Sequence, residues 1–303
     1  MKPIYVSLLA LAACCMGCSK EAQPGFTPDL GIAKQFTPPD DSPAEIKDMY
    51  NQYGVWVRMD FKDWKEVTNG VLATDPFNRW GATKIDTDQR AAVTTYSQAL
   101  LSNVSGKFAK KFFPLEFFFV KTYGGSFWME DLKVLGRSRM IITWPNKLYG
   151  TLPVTDPANH YYRDSVLARQ IWSSLGTLAA LRFEAPITEF VLAGKAYDGG
   201  EARDKVFQQY EKDHDLEARD KAFDQMALNG GFITSLGTLS FENDFAEWIK
   251  VLTTESYANI KAQYLDNSAA RTRKYEVITR FLKTYDWDIQ ASGNRYRDRL
   301  DHP

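Results

Sequence analysis

Apolar residues recur every three or four positions in several long stretches of the chain, a spacing typical of helices with one buried face. The pattern predicts helices over residues 44–53, 87–113, 163–183 and 240–253, with two more over residues 254–285. The last two are separated near Asp266 and Asn267, where polar residues interrupt the spacing. The second half of the chain is therefore expected to be mainly helical.

Three shorter runs have the pattern of strands. Residues 115–120 and 139–144 are mostly apolar and each is bounded by a proline, which favours buried strands. Residues 55–61 alternate imperfectly between apolar and polar positions, which indicates a partly exposed strand. The sequence therefore predicts a single α+β domain over residues 44–303. One sheet is expected within residues 44–150, and a mainly helical half within residues 151–303.

The first 18 residues have the features of an export signal. Lys2 is followed by an uncharged, mostly apolar run that is shorter than the ~20 residues needed to span a bilayer. All three cysteines of the chain, Cys14, Cys15 and Cys18, lie at the end of this segment. The rest of the sequence therefore has no disulfide framework, cysteine nucleophile or cysteine zinc site.

This segment resembles a bacterial lipoprotein signal, in which a cysteine is acylated and becomes the new N-terminus. Cys18 is the expected site because the sequence that follows it resembles surface-exported lipoproteins of the Bacteroides group, and Cys14 is the alternative. An ordinary cleaved signal peptide is a further alternative. Acylation would hold the protein at the outer membrane, with exposure at the cell surface expected and a periplasm-facing position open. Residues 19–43 are rich in proline and are expected to form a tether.

A short charged motif is repeated in the second half of the chain. Residues 201–207, with the sequence EARDKVF, recur as EARDKAF over residues 217–223. On one continuous helix the two copies would face different sides, so the sequence predicts two short helices or one helix charged on both sides. The dense charges at helical spacing are typical of a solvated surface insertion.

Composition and charge exclude some classes of protein. Lys and Arg number 37 and Asp and Glu 38, a balance that argues against a nucleic-acid partner. Hydrophobic residues make up 44% and charged residues 25%, which excludes a wholly disordered chain. Aromatic residues make up 14%, a high share that favours a thick core over sugar-stacking surfaces.

Familiar catalytic motifs are missing from the sequence. The three histidines, His160, His214 and His302, do not share a helix face. The sequence contains no HExxH motif and no cluster of Cys and His that could hold zinc. There is no glycine-rich phosphate loop and no G-x-S-x-G nucleophile motif. The sequence therefore offers no ready assignment to a common class of hydrolase.

The most distinctive motif combines GFITS at residues 231–235 with FENDFAE at residues 241–247. It resembles the carboxy-terminal motif of a family of secreted Bacteroidetes lipoproteins described as zinc-binding metallopeptidases, which carry a GFVT-type turn and an EDFAE helix. The order of predicted elements also fits that family over about residues 44–300. The resemblance implies a zincin-like fold, in which an upstream HExxH helix supplies two zinc ligands and the general base.

In this sequence the residues of that site are replaced. The resemblance places the first histidine at Ser173, the general base at Ser174 and the second histidine at Thr177. The carboxylate ligand would fall at Asn243, and a supporting acid is retained at Glu247. Hydroxyl and amide groups do not hold zinc as imidazole and carboxylate do, so no cofactor and no zinc hydrolysis are expected.

The expected function is therefore a non-catalytic, zincin-like lipoprotein that binds a peptide or a protein partner, or assists an outer-membrane uptake complex. The first alternative is an active metallohydrolase with zinc on non-standard ligands such as His160, Asp244 and Glu247. An argument against this alternative is that acidic side chains in the first turn of a helix stabilise the helix without any metal. The second alternative is a glycan-binding surface lipoprotein that uses exposed aromatic residues.

Overall fold

The computed structural model describes residues 35–68, 81–125, 128–144, 162–194, 200–234 and 240–301. Contacts divide the chain into two units, Met1–Thr37 and Pro38–Pro303, and all the strands and helices given below lie in the second. Cys14, Cys18 and His160 lie outside the described residues, as does most of the predicted tether.

The first half combines short helices with two sheets. Its helices are α1 (Ala44–Tyr53), α2 (Lys65–Thr68), α3 (Arg90–Leu101) and α4 (Gly106–Phe112). Its strands are β1 (Trp56–Arg58), β2 (Gly81–Thr83), β3 (Glu116–Val120), β4 (Thr122–Gly125), β5 (Trp128–Met129), β6 (Leu132–Leu135) and β7 (Arg139–Thr143). With the helices of the second half, these elements make an α+β fold, as the sequence predicts.

The larger sheet has the strand order β1-β3-β7-β6. Its first three strands are parallel, and β6 runs antiparallel to β7 and forms one edge. Every residue of β3 and β7 is buried, which explains why both strands could be recognised as apolar runs. Strands β2, β4 and β5 form a second, antiparallel sheet, so the expectation of one sheet was wrong.

The second half is helical. Its helices are α5 (Ala168–Ala180), α6 (Thr188–Gly194), α7 (Glu201–Asp213), α8 (Leu216–Gly230), α9 (Phe241–Thr254), α10 (Tyr257–Ile260), α11 (Ala269–Lys283) and α12 (Ile289–Asp301). A π-helical segment, Tyr162–Leu167, leads into α5, and another, Lys261–Leu265, follows α10. The break expected near Asp266 and Asn267 is present, because α11 begins only at Ala269.

The prediction of one helix over residues 87–113 was wrong. A turn separates α3 from α4, and the Ser105 side chain caps α4 by accepting from the Phe108 N–H at 3.1 Å. The same turn is held by the C-terminal region, since the Asn103 carbonyl accepts from Trp287 Nε1 at 2.8 Å and from Ser292 Oγ at 2.6 Å. These distant partners satisfy backbone groups that a continuous helix would otherwise use.

Helices α5 and α9 pack closely against each other in the core. A Cβ atom at Gly176 would lie 2.8 Å from the Cα of Ala246 and 3.1 Å from the Cβ of Ile249, so only glycine permits this approach. Ser240 caps α9 by accepting from the Asn243 N–H at 3.3 Å. This packing holds the buried side of α5 against α9.

The repeated motif forms two helices, α7 and α8, as one of the two expected arrangements. No residue of α7 is buried, and its Phe207 ring packs on Phe223 of α8 with centroids 5.2 Å apart. His214 ends α7 with a left-handed backbone, φ 55°, and Asp215 caps α8 by accepting from the Ala218 N–H at 2.9 Å. The charged outer face of this pair is solvated, in line with the charge pattern.

A buried ion pair crosses the larger sheet at the start of β3 and β7. Glu116 is fully buried and Arg139 is 4% exposed, and Arg139 Nε donates to Glu116 Oε2 at 2.5 Å. Arg139 also donates to the carbonyls of Glu66 and Val67 on α2, the latter at 2.9 Å. Burial raises the pKa of the Glu116 carboxyl by more than the neighbouring guanidinium groups lower it.

Candidate functional site

An open cleft of about 890 Å³ lies between the β5–β6 segment and helix α5. One wall consists of Met129, Glu130, Asp131 and Leu132, which end β5 and begin β6. The other wall is the exposed side of α5 and the segment before it, with Lys250 of α9 beside it. The cleft thus lies at the antiparallel edge of the larger sheet.

Helix geometry explains which residues of α5 line the cleft. Val166, Arg169, Gln170, Ser173 and Ser174 recur at intervals of three and four, so they share one side of the helix. The residues between them form the buried side, which packs in the core: Ile171, Trp172 and Leu175. Ser173 and Ser174 therefore face the cleft because the apolar side of the same helix is buried.

The structure brings only part of the predicted site to the cleft. Ser173 and Ser174 line it, whereas Thr177 and Asn243 are not among its lining residues. The Thr177 hydroxyl donates back to the Ser173 carbonyl at 3.2 Å, one helical turn away. Glu247 of α9 accepts from Lys250 Nζ at 2.5 Å, and Lys250 lines the cleft.

Two further charged side chains of the cleft, Glu130 and Arg169, form ion pairs at its rim. Glu130 Oε1 accepts from Lys133 Nζ at 3.2 Å, and the Arg169 guanidinium donates to Glu255. Glu255 is itself nearly buried and also accepts from Asn259 Nδ2 at 3.1 Å. The walls therefore carry both signs of charge, and most of these charges are already neutralised by neighbours.

No described strand pairs with the outer side of β6, so this edge of the sheet is open beside the cleft. The Asp131 carbonyl accepts from the Thr143 N–H at 2.9 Å, so residue 131 directs its backbone groups toward β7. In an antiparallel pair the direction alternates along the strand, and the backbone groups of Leu132 and Val134 therefore point away from β7. Leu132 lines the cleft, so a donor and an acceptor of the backbone lie at its wall.

The side chains at the positions that the family resemblance assigns to a zinc site do not fit zinc. Ser173, Ser174, Thr177 and Asn243 offer neutral hydroxyl and amide groups, and the ammonium group of Lys250 holds the Glu247 carboxylate. Among the residues that the structure describes, no group of three or more His, Cys, Asp or Glu side chains could hold a metal ion.

Of the alternative ligands, the two that the structure describes, Asp244 and Glu247, are not among the lining residues of the cleft. Asp244 is buried, and its Oδ2 accepts from Lys274 Nζ at 2.6 Å. That ammonium group also lies 4.0 Å from the ring centroid of Phe232, so Asp244 is part of a buried ionic and aromatic cluster. His160, the third residue of the alternative set, lies outside the described residues.

Sequence reasoning missed the wall opposite α5. The segment from Met129 to Leu132 was not predicted as a strand, and Arg169 and Lys250 were not singled out. The helical spacing of Arg169 with Ser173 was a usable signal for Arg169. Nothing local in the sequence marks residues 129–132, because their place in the cleft depends on the pairing of β6 with β7.

A second hollow, of about 690 Å³, lies at the opposite edge of the larger sheet. Trp56, Arg58, Asp60 and Arg90 are among its lining residues. Arg90 donates to both oxygens of Asp60, at 2.6 and 2.5 Å, and this hydrogen bonding lowers the pKa of Asp60. The pairs Arg90–Asp60 and Arg58–Glu66 thus lie within this hollow, and Asp41, Lys62 and Lys84 also line it.

No described helix has the length and apolar character needed to cross a bilayer. What the structure establishes is an α+β fold with a cleft between an open strand edge and a helix that presents two serines. Comparison of the chain with protein-family models, with curated proteins and with solved structures finds no match to any of them.

Proposed function

We propose that this chain is a non-catalytic, zincin-like lipoprotein whose cleft binds an extended peptide segment. The observation that carries the proposal is the position of Ser173 and Ser174, which line a cleft directly opposite the open edge of β6. A strand edge with unpaired backbone groups can add an extended chain through main-chain hydrogen bonds, while side chains of the groove provide selectivity.

Hydrolysis is not part of the proposal, because the groups that would perform it are missing. A zinc peptidase needs a metal to lower the pKa of a bound water and a carboxylate to accept its proton. Ser173 and Ser174 supply neither group, and Glu247 is bound to Lys250. The alternative of an active metallohydrolase would need Asp244 and Glu247 to leave their lysine partners, Lys274 and Lys250.

The proposed cellular role follows from the N-terminal segment. An acyl chain on Cys18, or on Cys14, would anchor the protein at the outer membrane, where peptide binding would serve a surface uptake complex. This part of the proposal depends on the lipoprotein signal alone. It is tested by labelling cells with a radioactive fatty acid, with Cys18→Ala and Cys14→Ala compared in parallel.

Metal analysis tests the absence of zinc. The full chain, purified in mild detergent, is offered zinc and dialysed, and retained metal is measured by elemental mass spectrometry. The proposal expects no retained zinc. Near-stoichiometric zinc would overturn it and would favour the alternative ligand set, to be located with His160→Ala, Asp244→Asn and Glu247→Gln.

Peptide binding tests the use of the strand edge. Fluorescent octapeptides of alternating valine and threonine, capped at both ends, are titrated with the full chain, and anisotropy is followed. Leu132→Pro removes the outward N–H and the side chain, whereas Leu132→Ala removes only the side chain. Proline is expected to weaken binding about five- to tenfold more than alanine, the scale of one main-chain hydrogen bond. Equal affinities for the two variants would exclude docking at this edge.

A further inference from the structure

The cleft contains one charged side chain without an ion pair among the described residues. Arg169, Lys250 and Glu130 each have a partner of opposite charge, namely Glu255, Glu247 and Lys133. Asp131 has none, although it lines the cleft between Glu130 and the open edge of β6. The two cationic groups across the cleft are neutralised by their own acids, so the cleft has a net negative charge at Asp131.

One carboxylate oxygen of Asp131 also lacks a hydrogen-bond donor among the described residues. Its Oδ1 atom is closed off from solvent and accepts no hydrogen bond from any described residue. A shielded carboxylate oxygen without a donor costs free energy, and a cation that a ligand brings beside the partly exposed Asp131 side chain would offset part of that cost through charge attraction. The Asp131 carbonyl, which accepts from the Thr143 N–H of β7, cannot supply a donor.

The geometry of the wall indicates which kind of donor would reach it. Asp131 directly precedes Leu132, whose backbone groups point into the cleft, so a peptide paired with Leu132 would pass beside the carboxylate. Both walls carry apolar side chains, Met129 and Leu132 on one and Val166 on the other, and these suit the methylene stem of a long side chain. A lysine or arginine side chain on that peptide combines such a stem with several charged donors.

We infer that Asp131 is the specificity residue of the cleft and selects peptides that carry a basic side chain. This inference rests on the proposed peptide-binding function, and it adds the charge of the ligand and the residue that reads it. The Lys250–Glu247 and Arg169–Glu255 pairs keep the opposite wall from repelling the ligand, because each cation is matched by its own carboxylate.

The test uses three sets of the capped valine and threonine octapeptides. Their central position carries lysine, its uncharged isostere norleucine, or glutamate. With the wild-type full chain, lysine peptides are expected to bind about tenfold more tightly than norleucine peptides, the scale of a hydrogen bond to a charged group. Glutamate peptides are expected to bind more weakly than both. Because salt screens interactions between charges, about 0.5 M salt is expected to reduce the differences in affinity among the three sets.

The matched variants are Asp131→Asn, Asp131→Glu and Glu276→Gln. Asp131→Asn is expected to abolish the preference for lysine, and Asp131→Glu to retain it. Glu276 is exposed on the outer side of α11, so Glu276→Gln changes the net charge equally and is expected to leave the preference intact. Circular dichroism establishes that each variant is folded.

The outcomes separate the two proposals. If no peptide binds the wild-type chain, peptide docking is wrong and the inference about Asp131 fails with it. If all three sets bind with equal affinity, or if Asp131→Asn keeps the preference for lysine, docking stands and the role of Asp131 is refuted. The comparison of lysine with norleucine needs no variant, so the inference stays testable even if Asp131→Asn fails to fold.

Discussion

Replacing Arg139 with methionine is expected to destabilise the protein strongly. In the native chain this guanidinium lies beside the fully buried Glu116 carboxylate and donates to two backbone carbonyls of α2. Methionine fills a similar volume but leaves Glu116 with Arg58 as its remaining cationic neighbour, at 3.5 Å. Breaking a buried pair by removing one partner typically costs about 3–5 kcal/mol, because the remaining charge is uncompensated.

The loss of stability in Arg139→Met should increase as pH rises. Burial already raises the pKa of Glu116, and removing Arg139 removes the main influence that lowers it. An acid whose pKa is higher in the folded state stabilises the fold below its ordinary pKa and loses that stabilisation as pH rises toward the folded value. The variant is therefore expected to be closest to wild type near pH 4 and furthest from it at neutral pH.

Urea unfolding, followed by tryptophan fluorescence at several pH values, measures both effects. With m values of about 3 kcal/mol per molar, the midpoint should fall by about 1 M or more at pH 7. Arg280→Met is the control, because Arg280 forms an exposed pair with Glu189 that is worth about 1 kcal/mol or less. A second variant, Arg139→Met with Glu116→Gln, should recover part of the loss. A loss below about 1 kcal/mol, or one independent of pH, would refute the reasoning.

Two further predictions concern other parts of the fold. Gly176→Ala places a methyl group 2.8 Å from the Cα of Ala246 and is expected to cost about 1–3 kcal/mol in thermal unfolding, whereas Gly81→Ala, with no atom within 4 Å, should change little. An equal effect at both sites would contradict the close approach of α5 and α9. Burial raises the pKa of the Tyr275 phenol to about 12, so stability should fall as pH rises from 10 toward 12. The free energy of unfolding of Tyr275→Phe, relative to that of the wild type, should be higher at pH 11 than at pH 8 by up to about 1 kcal/mol. The same difference between the two proteins at both pH values would contradict this.

The elements that the sequence predicted correctly are those with strong local patterns. Strands β3 and β7 are buried on both faces, so their apolar runs were sufficient evidence. Helix α1 was predicted with its observed bounds because its buried residues, Ile46, Met49 and Tyr53, follow helical spacing. The division of residues 254–285 also followed from local polarity.

The elements that were missed depend on distant partners. Strand β6 has no buried residue and contains Lys133, so neither alternation nor an apolar run marks it as a strand. The turn between α3 and α4 is fixed by Trp287 and Ser292, far along the chain. One wall of the cleft therefore could not be predicted from the sequence. The serines of the other wall were found through the resemblance of the sequence to a family.

The exposure of α7 makes this helix the most convenient place to modify the protein. Its neighbour α8 contributes Phe223, Met226 and Ala227 to the interior, whereas α7 contributes no buried residue. Because α7 buries none of its own residues, its amide hydrogens should exchange faster than those of α5 or α9. A fluorescent label, an affinity tag or a short insertion placed on α7 should leave the cleft intact and report on the protein at a membrane or in a larger assembly.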